Sequence, residues 1–244
     1  MEPPAQAGRV AGTPFPVRVR WGLPDALVAW IIGVGASLLA AAPFIDEHGR
    51  IPDRLEVEAT LVVLVVQSAG VVGWLAYVAS RKGLGSLSAD FGLWIRVRDW
   101  PWVAAGLALG VVATGLIVPI TELANLKDTS QDVAKTFEDA HGVEQVLFAL
   151  AVVSIAPAAE ELLFRGALLR GLLRRASPPV AIFVSALAFA LVHVIGDPGT
   201  GYYVAAFLLL GLVSGWRAWR TGSLSQSIAL HAGFNLLAVI LIVG

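Results

Sequence analysis

The amino-acid sequence predicts an all-α fold: a polytopic transmembrane helical bundle of about seven spans. Three observations lead there. Of the 244 residues, 57% are hydrophobic and only 14% are charged, with a mean hydropathy of +0.77, whereas a soluble domain of this size needs far more polar surface. The apolar residues gather into runs of roughly 20, the length a helix needs to cross the hydrocarbon of a bilayer. The polar connections between the runs alternate in charge. Sheet is disfavoured, because a lone strand leaves its backbone unpaired in lipid and these runs are longer than barrel strands.

The elements follow in order. The Pro- and Gly-rich residues 1–22 read as a loosely ordered tail,. Residues 23–143 supply the N-terminal helices and an external loop, and 144–244 form a helical core that holds nearly all of the intramembrane polar groups. Spans are expected at 25–45, 58–79, 101–121, 144–164 with a helical continuation to 175, 178–195, 202–217 and 224–243,. The run Leu23 to Phe44 is read as an uncleaved anchor rather than a signal peptide,. Pro157 falls inside the fourth span and removes a backbone donor there, which predicts a kink,. The polar loop 122–143 has the composition for a short external helix.

Charge sets the direction. Arg9, Arg18 and Arg20 precede the first span; Arg81, Lys82, Arg96 and Arg98 follow the second; Arg170, Arg174 and Arg175, then Arg217 and Arg220, mark the same side. Asp46, Glu47, Asp53 and Glu56, and then Asp128, Asp132, Glu138 and Asp139, mark the other. The positive-inside rule therefore predicts a multi-pass protein of the cell membrane with a cytoplasmic N-terminus and an external C-terminus. The pairs Gly106/Gly110 and Gly211/Gly215 have the spacing that lets helices approach closely, and internal packing is the expected use,. Trp21, Trp94, Trp100, Trp102, Trp216 and Trp219 fall near span ends, as interfacial tryptophans do,.

Composition also excludes chemistry. A net charge of -1 and no basic patch interleaved with aromatics argue against nucleic acid as a partner,. With no cysteine, disulfides, thiolate metal sites and a cysteine nucleophile are ruled out. Oligomeric state is not legible.

What remains is a handful of ionisable groups inside spans, each costing about 2.5–3.5 kcal/mol on insertion scales and therefore a functional candidate by default. They are Glu160, Glu161 and Arg165 on span four, His193 on span five, and His231, with Asn235, on span seven. At about 1.5 Å per residue, Glu160 lies about 22 Å from Arg174 and Arg175, His193 about 22 Å from Pro179, and His231 and Asn235 about 14 and 20 Å from Gly222. Three helices thus bring polar groups to similar depth. Glu161 and Arg165 are spaced i, i+4 in the favourable order for an ion pair. Glu160, rotated about 100° away, faces something else. A carboxylate beside imidazoles can serve as a general base, and imidazole and amide N–H groups can stabilise an oxyanion. Other readings of the same residues stay open: interhelical hydrogen bonding, a zinc set of Glu160, His193 and His231, or a proton relay in a transporter. There is no HExxH and no GxSxG context,.

The three motifs in order, EELLFR at Glu160, Glu161 and Arg165, FALVH at Phe189 and His193, and HAGFN at His231 and Asn235, resemble the CPBP family of intramembrane proteases. That family includes the type II CAAX prenyl endopeptidases (Rce1-like) and the bacterial Abi proteins. The resemblance covers about residues 144–243. It implies a helical-bundle endopeptidase in which Glu160 and His193 activate water while His231 and Asn235 form the oxyanion site, with Glu161, Arg165 and Phe189 in supporting roles. It further implies no cofactor, zinc being the alternative, and a peptide or protein substrate that is lipid-modified in the prenyl endopeptidases. Water is expected to enter from the cytoplasmic side. The seven expected spans depart from the eight usual for the prenyl endopeptidases. A non-enzymatic immunity or scaffold protein is the competing function.

Overall fold

The computed structural model describes residues 19–123, 132–195 and 198–243. The expectations for residues 1–18 and for Asp128 lie outside the described residues. Among the described residues there is no strand, and seven helical stretches are long and apolar enough to cross a membrane: Leu23–Phe44, Asp53–Lys82, Val97–Pro119, Val143–Leu173, Pro178–Ile195, Gly201–Thr221 and Ser225–Ile242. They coincide with the seven expected spans. We label the helices α1 (Leu23–Ala41), α2 (Glu56–Lys82), α3 (Leu87–Phe91), α4 (Pro101–Leu123) and α5 (Asp132–Asp139). α6 is the continuous helical stretch Val143–Leu173. It is followed by α7 (Pro178–Ile195), α8 (Val204–Thr221) and α9 (Ser225–Val243).

Small residues decide which helices pair. α1 lies along α2, α4 along α9 and α7 along α8. Between α4 and α9, a Cβ added to Gly106 would meet the Leu230 carbonyl oxygen at 2.0 Å, and one added to Gly233 would meet the Val103 carbonyl oxygen at 2.0 Å. Gly110 lies against Leu237, while Gly211 and Gly215 of α8 face Ala186 and Ile182 of α7. Both GxxxG pairs therefore work inside the bundle, where close backbone approach replaces the hydrophobic drive that lipid cannot supply. Gly233→Ala is expected to lower the thermal midpoint of the detergent-solubilised protein clearly, since carbonyl backbone must move. Gly35→Ala, with nothing within 4 Å of the new methyl, should leave it unchanged or raise it slightly, because glycine weakens a helix interior. Equal midpoints for the two variants would contradict this packing.

The cationic connections form one stitched layer at one end of the bundle. Arg20 N–H donates to the Lys82 carbonyl, Arg174 to the Trp21 carbonyl at 2.7 Å, and Arg170 to the carbonyls of Asp90 and Gly222 at 2.9 and 2.8 Å. The Arg96 N–H donates to Ser225 Oγ, and Arg217 reaches Asp99 through Gln226. Burial, and then the neighbouring Arg175, draw the Arg174 guanidinium below its ordinary pKa, with Asp25 opposing them.

Two features of this end were not expected. Residues 87–91, read from sequence only as part of a charged loop, form α3. The helix is capped by Ser86, whose Oγ accepts from the Ala89 N–H,. It ends at Gly92 with φ of 75°, a left-handed turn that glycine takes without strain,. α3 inserts Phe91 and Asp90 into the bundle, both fully buried. Trp21, expected at the lipid interface, is buried instead: its indole N–H donates to Asp90 Oδ1 at 2.7 Å, and its ring lies 4.8 Å from that of Phe91. A carboxylate inside the fold holds the indole where a lipid headgroup would otherwise do so.

At the acid-rich end, α5 is a short helix where one was expected within 122–143. Its Phe137 packs on Phe148 of α6, ring centroids 5.6 Å apart, and beside Val57 and Ala140 it makes a second small core.

Candidate active site

The site is built around a disturbed stretch of α6. Two widened, π-helical segments, Ala151–Ile155 and Leu162–Leu168, flank the regular turns Ala156–Glu161. Pro157 follows directly on the first. A prolyl nitrogen donates nothing and its ring crowds the preceding turn, so the kink expected at Pro157 takes the form of a wide turn rather than a break. Glu160 and Glu161 end the regular stretch, and the second wide segment carries Arg165.

The two glutamates part ways as their helical phase predicts. Glu161 Oε1 lies 3.0 Å from Arg165 NH1, both side chains being 0% exposed. The other carboxylate, Glu160, is 30% exposed, and its Oε2 stands 3.7 Å from His193 Nε2 and 3.6 Å from His231 Nε2. Three helices, α6, α7 and α9, thus bring these residues to one point. Two findings alter the expected division. Glu161 is more than a counter-ion, because the same Oε1 also takes the Nδ1–H of His231 at 3.0 Å. Asn235, one turn along from His231, commits one amide N–H to the Val152 carbonyl at 2.9 Å, in the first wide turn of α6. That carbonyl is available to a side chain because a widened turn shifts the backbone pairing.

The tautomers follow from the acceptors. His193 Nδ1 lies 2.7 Å from the Phe189 carbonyl oxygen, which can only accept, so Nδ1 carries the proton,. His231 Nδ1 faces Glu161 Oε1, which also takes Arg165, and the same tautomer lets the ring donate to it,. In the neutral imidazoles both Nε2 atoms then present lone pairs to the Glu160 carboxylate. Three acceptors facing one another are stable only with a proton or a donor such as water among them, and their spacing is wider than hydrogen bonds.

Phe189 fixes the geometry from beneath. Fully buried, its ring centroid lies 4.4 Å from that of His193, 5.5 Å from His231 and 5.3 Å from Phe164. The Arg165 guanidinium carbon lies 4.4 Å from the same ring, a cation–π contact that supplements its ion pair. Sequence reading missed Phe207 of α8, whose ring lies 4.5 Å from His193. Its spacing from the motifs carries no periodic signal. Ser227, one turn before His231, turns its hydroxyl back to the Leu224 carbonyl.

The zinc alternative draws on the same three side chains. Ligands of one tetrahedral zinc, bound at about 2.0–2.1 Å, sit about 3.3–3.5 Å apart. The Glu160–histidine separations of 3.7 and 3.6 Å exceed that. Among the described residues no group of three or more His, Cys, Asp or Glu side chains is disposed to hold a metal ion. The donor types suit zinc, with Glu160, His193 and His231 as the residues that would hold it, and no step below is routed through a metal.

Fold and site together define a polytopic membrane helical bundle with a polar, carboxylate–histidine cluster within its spans. Residues 142–237, under half of the chain, match the model of the type II CAAX prenyl endopeptidase Rce1-like family, a segment that takes in α6, α7, α8 and most of α9. The matched segment contains every residue of the cluster. No curated protein and no solved structure matches the chain.

Proposed function

We propose that this protein is an intramembrane endopeptidase that hydrolyses peptide bonds in or near the cell membrane by direct attack of water, its N-terminus lying in the cytoplasm. The observation that carries the reading is the convergence of Glu160 Oε2 with the two histidine Nε2 atoms. The family match supports the reaction class. Glu160, with His193, takes a proton from water as the oxygen attacks the scissile carbonyl carbon. The developing oxyanion is met by His231 and by the second N–H of Asn235. Since neutral His231 has its proton on Nδ1, donation from Nε2 requires the imidazolium, which the Glu161 carboxylate stabilises from the other side. The proton held by Glu160 then passes to the departing amine as the C–N bond breaks. Nucleophile, proton and leaving group balance without a covalent enzyme intermediate or a cofactor.

The substrate is a peptide or protein, lipid-modified if the prenyl-endopeptidase specificity carries over. Trapping with Glu160→Gln protein in native membranes, followed by identification of co-purifying chains, tests the reading. Enrichment of the same chains by the wild type, or of none, would sink it. A metal-free reaction predicts that activity on any substrate so found survives 1,10-phenanthroline and EDTA. Activity lost to chelators and restored by zinc would overturn that part alone.

A further inference from the structure

We propose that the polar cluster opens to the side opposite the cationic layer, so that with the N-terminus in the cytoplasm the protein takes its substrate from an extracytoplasmic, membrane-proximal segment. The word substrate rests on the peptidase reading; the side of access does not. Three observations carry it.

The first is depth. His193 sits two residues before the end of α7, about 22 Å from Pro178 at the cationic end and about 3 Å from the other. Glu160 lies about 20 Å above Leu173 on α6. His231 is only about 9 Å into α9, but α9 itself starts within the bundle, where Ser223, Leu224 and Ser225 are all buried.

The second is the floor. On α6, every residue from Glu161 to Ala167 is buried. α3 docks against that stretch from the cationic side, with Phe91 so near Gly166 that an added Cβ would come within 3.1 Å of the Phe91 Cβ. Trp21, Asp90 and Arg170 complete the seal with the Trp21–Asp90 and Arg170–Gly222 hydrogen bonds.

The third is where exposure resumes. The side chains of Glu160 and His193 are 30% and 25% exposed, against 0% for Glu161 and Arg165 just beneath them. Further toward the acid-rich end of α6, beyond the buried run, Ser154 and Ile155 are exposed. The cytoplasmic water entry expected from sequence would have to cross the packed floor.

Because the sequence contains no cysteine, single-cysteine variants read the side of access directly. Glu160→Cys and His193→Cys would be compared with Glu47→Cys at the acid-rich end and Arg174→Cys at the cationic end. A membrane-impermeant, positively charged methanethiosulfonate is applied to right-side-out and to inside-out vesicles. We expect Glu160→Cys and His193→Cys to be labelled together with Glu47→Cys in right-side-out vesicles, at least tenfold faster than in inside-out vesicles. Arg174→Cys should show the reverse. Labelling of the site variants with Arg174→Cys, or from neither side, would overturn the proposal, as would labelling of Glu47→Cys in inside-out vesicles. Detergent-solubilised labelling of both site variants serves as the folding control, and either variant alone decides the matter. Cleavage assays on Glu160→Gln address the peptidase reading separately, so the two can fail independently.

Discussion

Glu160→Gln is expected to reduce peptide cleavage by about a hundred- to ten-thousandfold, the usual contribution of a general base, while leaving expression, membrane insertion and thermal midpoint close to wild type. The chain tolerates this change because Glu160 is not part of the buried ion pair: its carboxylate is partly exposed and faces the two histidine Nε2 atoms at 3.6–3.7 Å. Glutamine keeps the shape and removes the ability to accept a proton. It also puts an amide donor among acceptors, so the folded state should gain rather than lose hydrogen bonding. His193→Ala should fall in the same range on activity, with a modest loss of packing against Phe189 and Phe207. The check is turnover of a trapped substrate together with a thermal unfolding trace in detergent. Near-normal turnover by Glu160→Gln would remove the general base from the scheme and leave the cluster a packing device.

Arg165→Met is expected to act the other way, on the fold before the chemistry. Arg165 and Glu161 are both 0% exposed and 3.0 Å apart, and removing one member of such a pair leaves an uncompensated charge at a cost of about 3–5 kcal/mol. The thermal midpoint should drop sharply, or the protein should fail to accumulate. Glu161→Gln/Arg165→Met, which removes both charges, should recover much of the stability because the site is then uncharged and close to the original volume. Activity should not return with it: Glu161 Oε1 also holds His231 Nδ1, and an imidazole released from that carboxylate can present either tautomer to Glu160. A double variant that is both stable and fully active would show that Glu161 serves Arg165 alone. A double variant no more stable than the single would show that the pair is not the source of the loss.

Much of this molecule is legible in the chain, and the reason is the solvent. Lipid offers no hydrogen bonds, so each crossing segment must be a long helix, and Leu23–Phe44 or Pro178–Ile195 can be read from length and hydropathy. The same intolerance makes Glu160, Glu161, Arg165 and His193 conspicuous, and the 100° step between neighbouring residues separates the two glutamates before any coordinates exist. Local rules stop where contacts span distant residues. The burial of Trp21 by Asp90, sixty-nine residues away, depends on α3 folding back into the bundle. Asn235 shares a helix face with His231, and sequence reading gave them one task; the wide turn at Ala151–Ile155 offers Asn235 a backbone carbonyl that an ordinary helix would have used.

By itself, the sequence determined an all-α membrane bundle of about seven spans, a candidate polar site on its fourth, fifth and seventh helices, and the pairing of Glu161 with Arg165, because those follow from composition, period and the cost of charge in hydrocarbon. Only the tertiary structure decided that Glu160 meets both histidines, that Glu161 bonds His231, that Asn235 turns to a backbone carbonyl, and that α3 packs against α6 on the cationic side of them. Each of those depends on the crossing of helices and the insertion of a loop, which are set by the close packing of Gly106, Gly166, Gly211 and Gly233 against distant backbone and side chains rather than by any local periodicity.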